Sequence, residues 1–215
     1  MQDLIQQLIN DNYLKTPEII QAFKKIKRQD FVPSELEMES TGNYPLPIGY
    51  GQTISQPLTI AFMMELLALE RGWKVLDVGS GSGYTTALFC EIVGKEGKVF
   101  AIERIDELRK FGEDNVRKYN FVEEGRAVFI TGDGTKGIKK EAPFNAIHVG
   151  AAAVDVPEAL LDQLSIGGRM VIPLGYQTQE ITLIEKITSK RFKEKRFPGF
   201  TFVPLIKGLP GKNKI

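Results

Sequence analysis

The sequence has one cysteine, one histidine, almost no net charge and no long apolar run. The lone Cys90 excludes an internal disulfide and every multi-cysteine metal site, and with only His148 beside it histidine-based zinc clusters are excluded too. A formal charge of +1 supplies no global field to draw the chain to nucleic acid or an anionic membrane. No apolar stretch approaches the roughly 20 residues of a membrane-spanning helix. The opening MQDLIQQLINDNYLK carries acids and amides where a secretory leader would have a basic and then an apolar region. A reducing cytoplasm is the expected home. Basic residues gather only in KITSKRFKEKRF (186–197), which reads as a solvated hairpin connection because Glu194 interrupts it.

What is present suits one sizeable core: 215 residues, 42% apolar and 26% charged, is long enough for one such core and short for two. Two short amphipathic helices open the chain. Thr16 reads as the N-cap of the second and Pro17 as its first residue, with Ile19, Ile20, Phe23 and Ile26 forming an apolar face. A polar loop and a helix through PLTIAFMMELLALE follow. From Trp73 onward, short apolar runs alternate with helix-like segments. KVLDV (74–78), KVFAIE (98–103), RAVFITGD (126–133), FNAIHVGA (144–151) and GRMVIPLG (168–175) read as strands of a mainly parallel sheet covered on both faces. EITLIEKI (180–187) and GFTFVPLI (199–206) read as two more, forming a β-ribbon at one edge. The expected fold is α/β: Rossmann-like, doubly wound and seven-stranded, with an N-terminal helical cap. Residues 1–215 form one domain, with helices and a polar loop over 1–70, a core over 71–175 and C-terminal strands over 176–215.

LDVGSGSG leaves a strand and enters a helix, the place where open α/β sheets bind ligands. Gly79, Gly81 and Gly83, with Ser80 among them, permit a sharp turn and close approach of backbone to a ligand. The spacing is not the G-x-G-x-x-G of dinucleotide sites, and no lysine follows as in a Walker loop. Glu103 ends the second strand about 20 residues on, where a carboxylate can accept both hydroxyls of a ribose. Asp133 ends the third strand beside Gly134, which leaves room for a flat ring. A solvent-facing strand-end acid and a plain Asp-Gly turn are the competing readings of these two acids. Three such features on three successive strands point to a nucleoside cofactor. The upstream acid Asp77, and a loop without Lys or Arg, favour one with a positive centre and no phosphates: S-adenosyl-L-methionine.

GYGQTISQP, VLDVGSGSGY, TGDGTKG, FNAIHVGAAAVDVPEALLDQLSIGGRMVIPLG and a late FVPL together resemble the protein-L-isoaspartate O-methyltransferase family, within the class I methyltransferases. The resemblance covers nearly the whole chain, and GQTISQP is its most specific element. It implies methyl transfer from S-adenosylmethionine to the free carboxyl of L-isoaspartyl and D-aspartyl residues, leaving S-adenosyl-L-homocysteine and starting repair of damaged proteins. It also marks Ser55 as the active residue. Gln52 and Thr53 are then expected to share substrate contacts, Ile54 to pack nearby, and Gly150 and Ala151 to leave space for the substrate backbone. Ser55 has a competing role as cap of the helix that begins at QP. His148 reads as a partly buried histidine bonded to backbone, and Cys90 as core. The expected partner is an isoaspartyl-containing peptide or protein met by a monomer, with no metal, nucleic acid or membrane. The alternatives are a class I methyltransferase acting on RNA or a small molecule, and a non-catalytic adenosyl-binding module. Glycine spacing argues against a nicotinamide oxidoreductase.

Overall fold

A computed structural model describes residues 1–211. The elements run α1 (Gln2–Asn10), α2 (Pro17–Lys25), β1 (Leu46–Gly49), β2 (Gln52–Ile54), α3 (Pro57–Leu67), β3 (Lys74–Val78), α4 (Tyr84–Val93), β4 (Lys98–Glu103), α5 (Asp106–Arg117), β5 (Ala127–Thr131), β6 (Phe144–Val149), α6 (Glu158–Gln163), β7 (Leu164–Leu174), β8 (Gln179–Lys186) and β9 (Phe192–Phe200). Short 3-10 turns fill the stretch between α2 and β1. Seven strands form one sheet in the order β5-β4-β3-β6-β7-β8-β9. The first five are parallel, while β8 and β9 add an antiparallel ribbon at the β7 edge. Among the described residues no helix is long and apolar enough to cross a membrane.

Alternate residues of each strand face opposite sides of a sheet, and both sides are apolar here. Val75, Val99, Ala146 and Val171 pack in one cluster with the buried faces of α1 to α5. Leu76, Val78, Phe100, Ile147 and Met170 pack in a second, thinner one, with Leu160 of α6 and with Leu205. Covering both sides explains the near-continuous apolar runs of β3, β4 and β6. Strand order reverses at β3, whose neighbours β4 and β6 carry the chain to opposite sides. The crevice at the carboxyl ends of these three strands is where such sheets take ligands.

Two expectations are corrected. The last strand is Phe192–Phe200, not 199–206: it pairs with β8 as far as Phe200, and beyond it Pro204 makes only an isolated bridge, to Ala152. The basic stretch read as a connection is therefore mostly strand β9, paired with β8 from Phe192↔Lys186 to Phe200↔Gln179. Its exposed Lys193, Glu194, Lys195 and Arg196 suit an edge, because charges discourage further strand pairing. Thr16 does occupy the N-cap position of α2, but its side chain makes no cap bond. Its hydroxyl instead donates to Glu65 of α3 at 2.8 Å.

Candidate active site

The crevice beyond β3 is lined by Val78, Gly79 and Gly81 on one side, Ile102 to Ile105 on a second, and Gly134, Gly150 and Ala151 on the third. The glycine loop is held tightly. Gly83 has φ +82, and a Cβ there would lie 2.6 Å from the carbonyl oxygen of Gly112 in α5. Gly79, at φ +76, has nothing within 4 Å of where its Cβ would be, so its surface is open to the crevice. The Oγ of Ser80 is buried without a hydrogen-bond partner among the described residues.

Glu103 is buried at the end of β4. Its carboxylate accepts the amides of Gly81 at 3.1 Å, Arg104 at 2.8 Å and Ile105 at 3.0 Å. Burial nevertheless pushes this carboxyl above its ordinary value, the three amide bonds only partly countering it. An acceptor that is costly to leave desolvated is well suited to take hydroxyl donors from a ribose. Glycine backbone, an apolar wall and a single acid fit an adenosyl group. Among the described residues, the one cation on the lining is Arg104, and it turns its Nε to the Gly208 carbonyl at 3.0 Å.

Val203, Pro204, Leu205 and Ile206 roof the crevice. They form a strap tied to the sheet by Ala152 N–H donating to Val203 O at 2.8 Å and Leu205 N–H donating to Ala152 O at 2.7 Å. With the strap so placed the crevice holds a free volume of about 60 Å³. That is well below the roughly 300 Å³ at which ligand pockets begin, so the lining must open for a nucleoside to enter.

The substrate-side groove, with a volume of about 470 Å³, adjoins the crevice. Thr53, Ser55, Gln56, Thr59, Gly150 and Phe200 to Val203 are among the residues lining it. The β1–β2 hairpin divides the two spaces. A Cβ on Gly81 would lie 3.1 Å from the Ile48 side chain of β1, so the hairpin rests on the glycine loop. Thr53, Gly150 and Val203 line both pockets.

Ser55 does not cap α3. Gln56 occupies the N-cap position, and the free Leu58 amide donates to the side-chain oxygen of Asn43 at 3.1 Å. The Ser55 side chain is thus left to the groove. Gln52 lines the crevice, and so does Ala151, which does not reach the substrate-side groove. Ile54 is buried in the core and lines neither space.

Asp77 does not face the crevice. It points to the α4 side of the sheet, fully buried, accepting from Thr86 Oγ1 at 2.6 Å and lying 2.8 Å from His148 Nδ1. His148 is therefore bonded to a carboxylate rather than to backbone. Asp133 forms the Asp-Gly turn: it accepts from the Thr135 amide and hydroxyl, and its second oxygen accepts the Gly208 amide at 2.9 Å. Burial works against its charge, yet these bonds outweigh it and lower its pKa. Gly134 lines the crevice beside it. Cys90 is fully buried among apolar neighbours, and burial raises its thiol well above the usual value.

Sequence reasoning missed the strap and Asn43. FVPL was visible, but its alternating apolar residues resemble a strand, and only Pro204 signalled otherwise.

The whole arrangement has relatives. The family profile described as Protein-L-isoaspartate(D-aspartate) O-methyltransferase (PCMT) matches residues 1–209. A protein-L-isoaspartate O-methyltransferase of Methanopyrus kandleri is 44% identical over 94% of this chain and 89% of its own length. One from Ignicoccus hospitalis is 44% identical over 95% of this chain and 96% of its own. Among solved structures, a Plasmodium falciparum chain assigned as the same enzyme and crystallised with S-adenosyl-L-homocysteine superposes with a TM-score of 0.86. It is 26% identical and covers 96% of this chain and 98% of that one.

Proposed function

Because this chain belongs to the protein-L-isoaspartate(D-aspartate) O-methyltransferase family, we propose that it methylates the free carboxyl of L-isoaspartyl and D-aspartyl residues in damaged proteins, using S-adenosyl-L-methionine and so initiating their repair. One observation carries the reading beyond family membership. The crevice beyond the glycine loop and the groove beside it meet at Thr53, Gly150 and Val203, with Ser55 on the groove side of that junction.

In this reading Gly79, Ser80, Gly81, Glu103 and Gly134 hold the cofactor, and Asp77 and Asp133 brace its walls. When bound, S-adenosylmethionine supplies an electrophilic methyl group on a sulfonium. An isoaspartyl carboxyl has a pKa near ~4 and is ionised at neutral pH, so the chain has no proton to remove. Ser55 and Thr53 then act as hydrogen-bond donors that fix one carboxylate oxygen, and orientation of this kind contributes on the order of 7–11 kcal/mol in the best cases. Two neutral hydroxyls suit the task better than a lysine or arginine, which would stabilise the anion and blunt its nucleophilicity. The strap and hairpin exclude water, which favours a reaction that cancels charge.

A methylation assay comparing an L-isoaspartyl peptide with its L-aspartyl twin tests the assignment. The expected result is methyl ester formed on the first and not on the second. Binding of S-adenosylhomocysteine without turnover of either peptide would reject it in favour of a binding module.

A further inference from the structure

Among the described residues Arg28 is the largest side chain shut wholly away from solvent, and the four acceptors of its hydrogen bonds are all main-chain carbonyls. One terminal nitrogen donates to Ser40 O at 3.1 Å and Gly42 O at 3.2 Å. The other donates to Tyr44 O at 2.8 Å and Ser55 O at 3.2 Å. Burial draws its pKa down to about 10, which leaves it charged at neutral pH. A buried cation without a carboxylate is costly for stability alone, and an apolar side chain of similar size would fill the space more cheaply. The planar fork is the one side-chain group whose five donors can hold several carbonyls in a fixed pattern.

The backbone that carries this fork is held as well, although the buried Nε has no partner among the described residues. Arg28 lies in the turn Arg28–Phe31. Phe31 packs on Tyr84, the first residue of α4 after the glycine loop, at 5.3 Å between ring centres, and on Tyr119 at 5.8 Å. The Tyr119 hydroxyl donates to Asp30 at 2.6 Å and accepts the Lys27 amide at 2.9 Å. One end of Arg28 is thereby riveted to the helices behind the cofactor crevice, and the other grips the chain on both sides of the β1–β2 hairpin.

We propose that Arg28 is a positioning residue for methyl transfer: its guanidinium sets the 40–55 segment, and with it Ser55, at a fixed distance from the glycine loop. The proposal rests on the isoaspartyl methyltransferase reading above. Asn43 assists from the same segment, accepting Leu58 N–H through its side chain and Gln56 Nε2 through its carbonyl. Lysine, a single compact donor head, cannot span four carbonyls, so the conservative change also fails.

The test compares unaltered protein with full-length Arg28→Lys and Arg28→Met, each confirmed folded by near-ultraviolet circular dichroism at the assay temperature. S-adenosylhomocysteine affinity is expected to stay within about threefold, while kcat/KM for the isoaspartyl peptide falls roughly 100-fold in Met and recovers only partly in Lys, as a misplacement of about 1 Å would cause. Folded variants with kcat/KM within about threefold of the parent would overturn the proposal. Should neither variant fold, hydrogen exchange on the unaltered protein decides it. The Leu58 amide and the β1–β2 amides are expected to be protected like those of β3, and exchange there at the rate of an open loop would refute the clamp. Failure of the unaltered protein to methylate the peptide would instead reject the assigned reaction, and exchange at the Leu58 and β1–β2 amides would still decide whether the segment is clamped.

Discussion

The cofactor rim and the peptide rim of the site lie side by side and are built by opposite means. On the cofactor rim, the ends of β3 and β4 and the start of α4 fall within residues 74–103 and are joined by short local connections. Its ligand-facing surface is glycine backbone and one carboxylate fed by neighbouring amides. The peptide rim has no strand of the main sheet beneath its hairpin. It is assembled from residues 40–56 and 199–203, far apart in the chain, and held by long-range contacts, Arg28 to four carbonyls and Asn43 to α3, while the strap over the neighbouring crevice is tied by Asp133 and Arg104 to Gly208. A rim that must only present backbone is inherited from the sheet. One that must surround a variable peptide is tied on afterwards, so it can differ between proteins that share the sheet.

The largest break in this comparison is expected from Gly83→Ala. The new Cβ would meet Gly112 O at 2.6 Å in a left-handed backbone, which should cost roughly 3 kcal/mol or more of stability in urea unfolding. No substitution of a polar residue lining the groove, such as Thr53 or Ser55, should cost as much.

Next in size, Glu103→Gln should weaken S-adenosylhomocysteine binding by about 1.5–3 kcal/mol, read by titration calorimetry, because hydrogen bonds to a charged acceptor are lost. The pH dependence sharpens it. The folded Glu103 carboxyl holds its proton more tightly than an unfolded one. Its contribution to stability is therefore fully present below the ordinary carboxylate value and is lost as pH rises through the raised one. Cofactor, which uses the ionised form, should bind more tightly as pH rises through that same window, and the Gln variant should lack this rise.

On the peptide rim, Ser55→Ala should lower turnover about tenfold, near 1.4 kcal/mol of barrier, with little change in thermal stability. Asn43→Ala should do the reverse in stability, costing about 1 kcal/mol through the lost α3 cap. If Ser55→Ala were the more destabilising of the two, the division of labour between them would be wrong. The smallest effect is expected from Asp133→Asn, which weakens one tie of the strap at Gly208. Stopped-flow association of S-adenosylhomocysteine should quicken severalfold, with stability changed by less than about 1 kcal/mol.

How much could be read beforehand follows the same division. The parallel strands, the glycine loop and Glu103 were visible because apolar runs, φ-permissive residues and strand-end acids are local signals. Asp77 was visible as an acid but not in its direction. Period-two alternation puts it on the α4 face with Thr86 and His148, a side that depends on which helix covers which face. Ser55 carried two readings, and only Asn43, twelve residues upstream and folded back on α3, separated them. FKEKRFPGF has a charged composition that looks like loop, and it becomes a strand because β8 offers it an edge.

The chain alone therefore determined the strands of the sheet and the glycine loop after β3, since each rests on the conformational preferences and burial of residues close in sequence. Tertiary structure decided which backbone roofs the crevice, what caps α3, and where the buried charge of Arg28 is spent. Those outcomes depend on distant groups satisfying one another's hydrogen bonds, and a buried donor donates to whichever carbonyl the packed fold delivers to it.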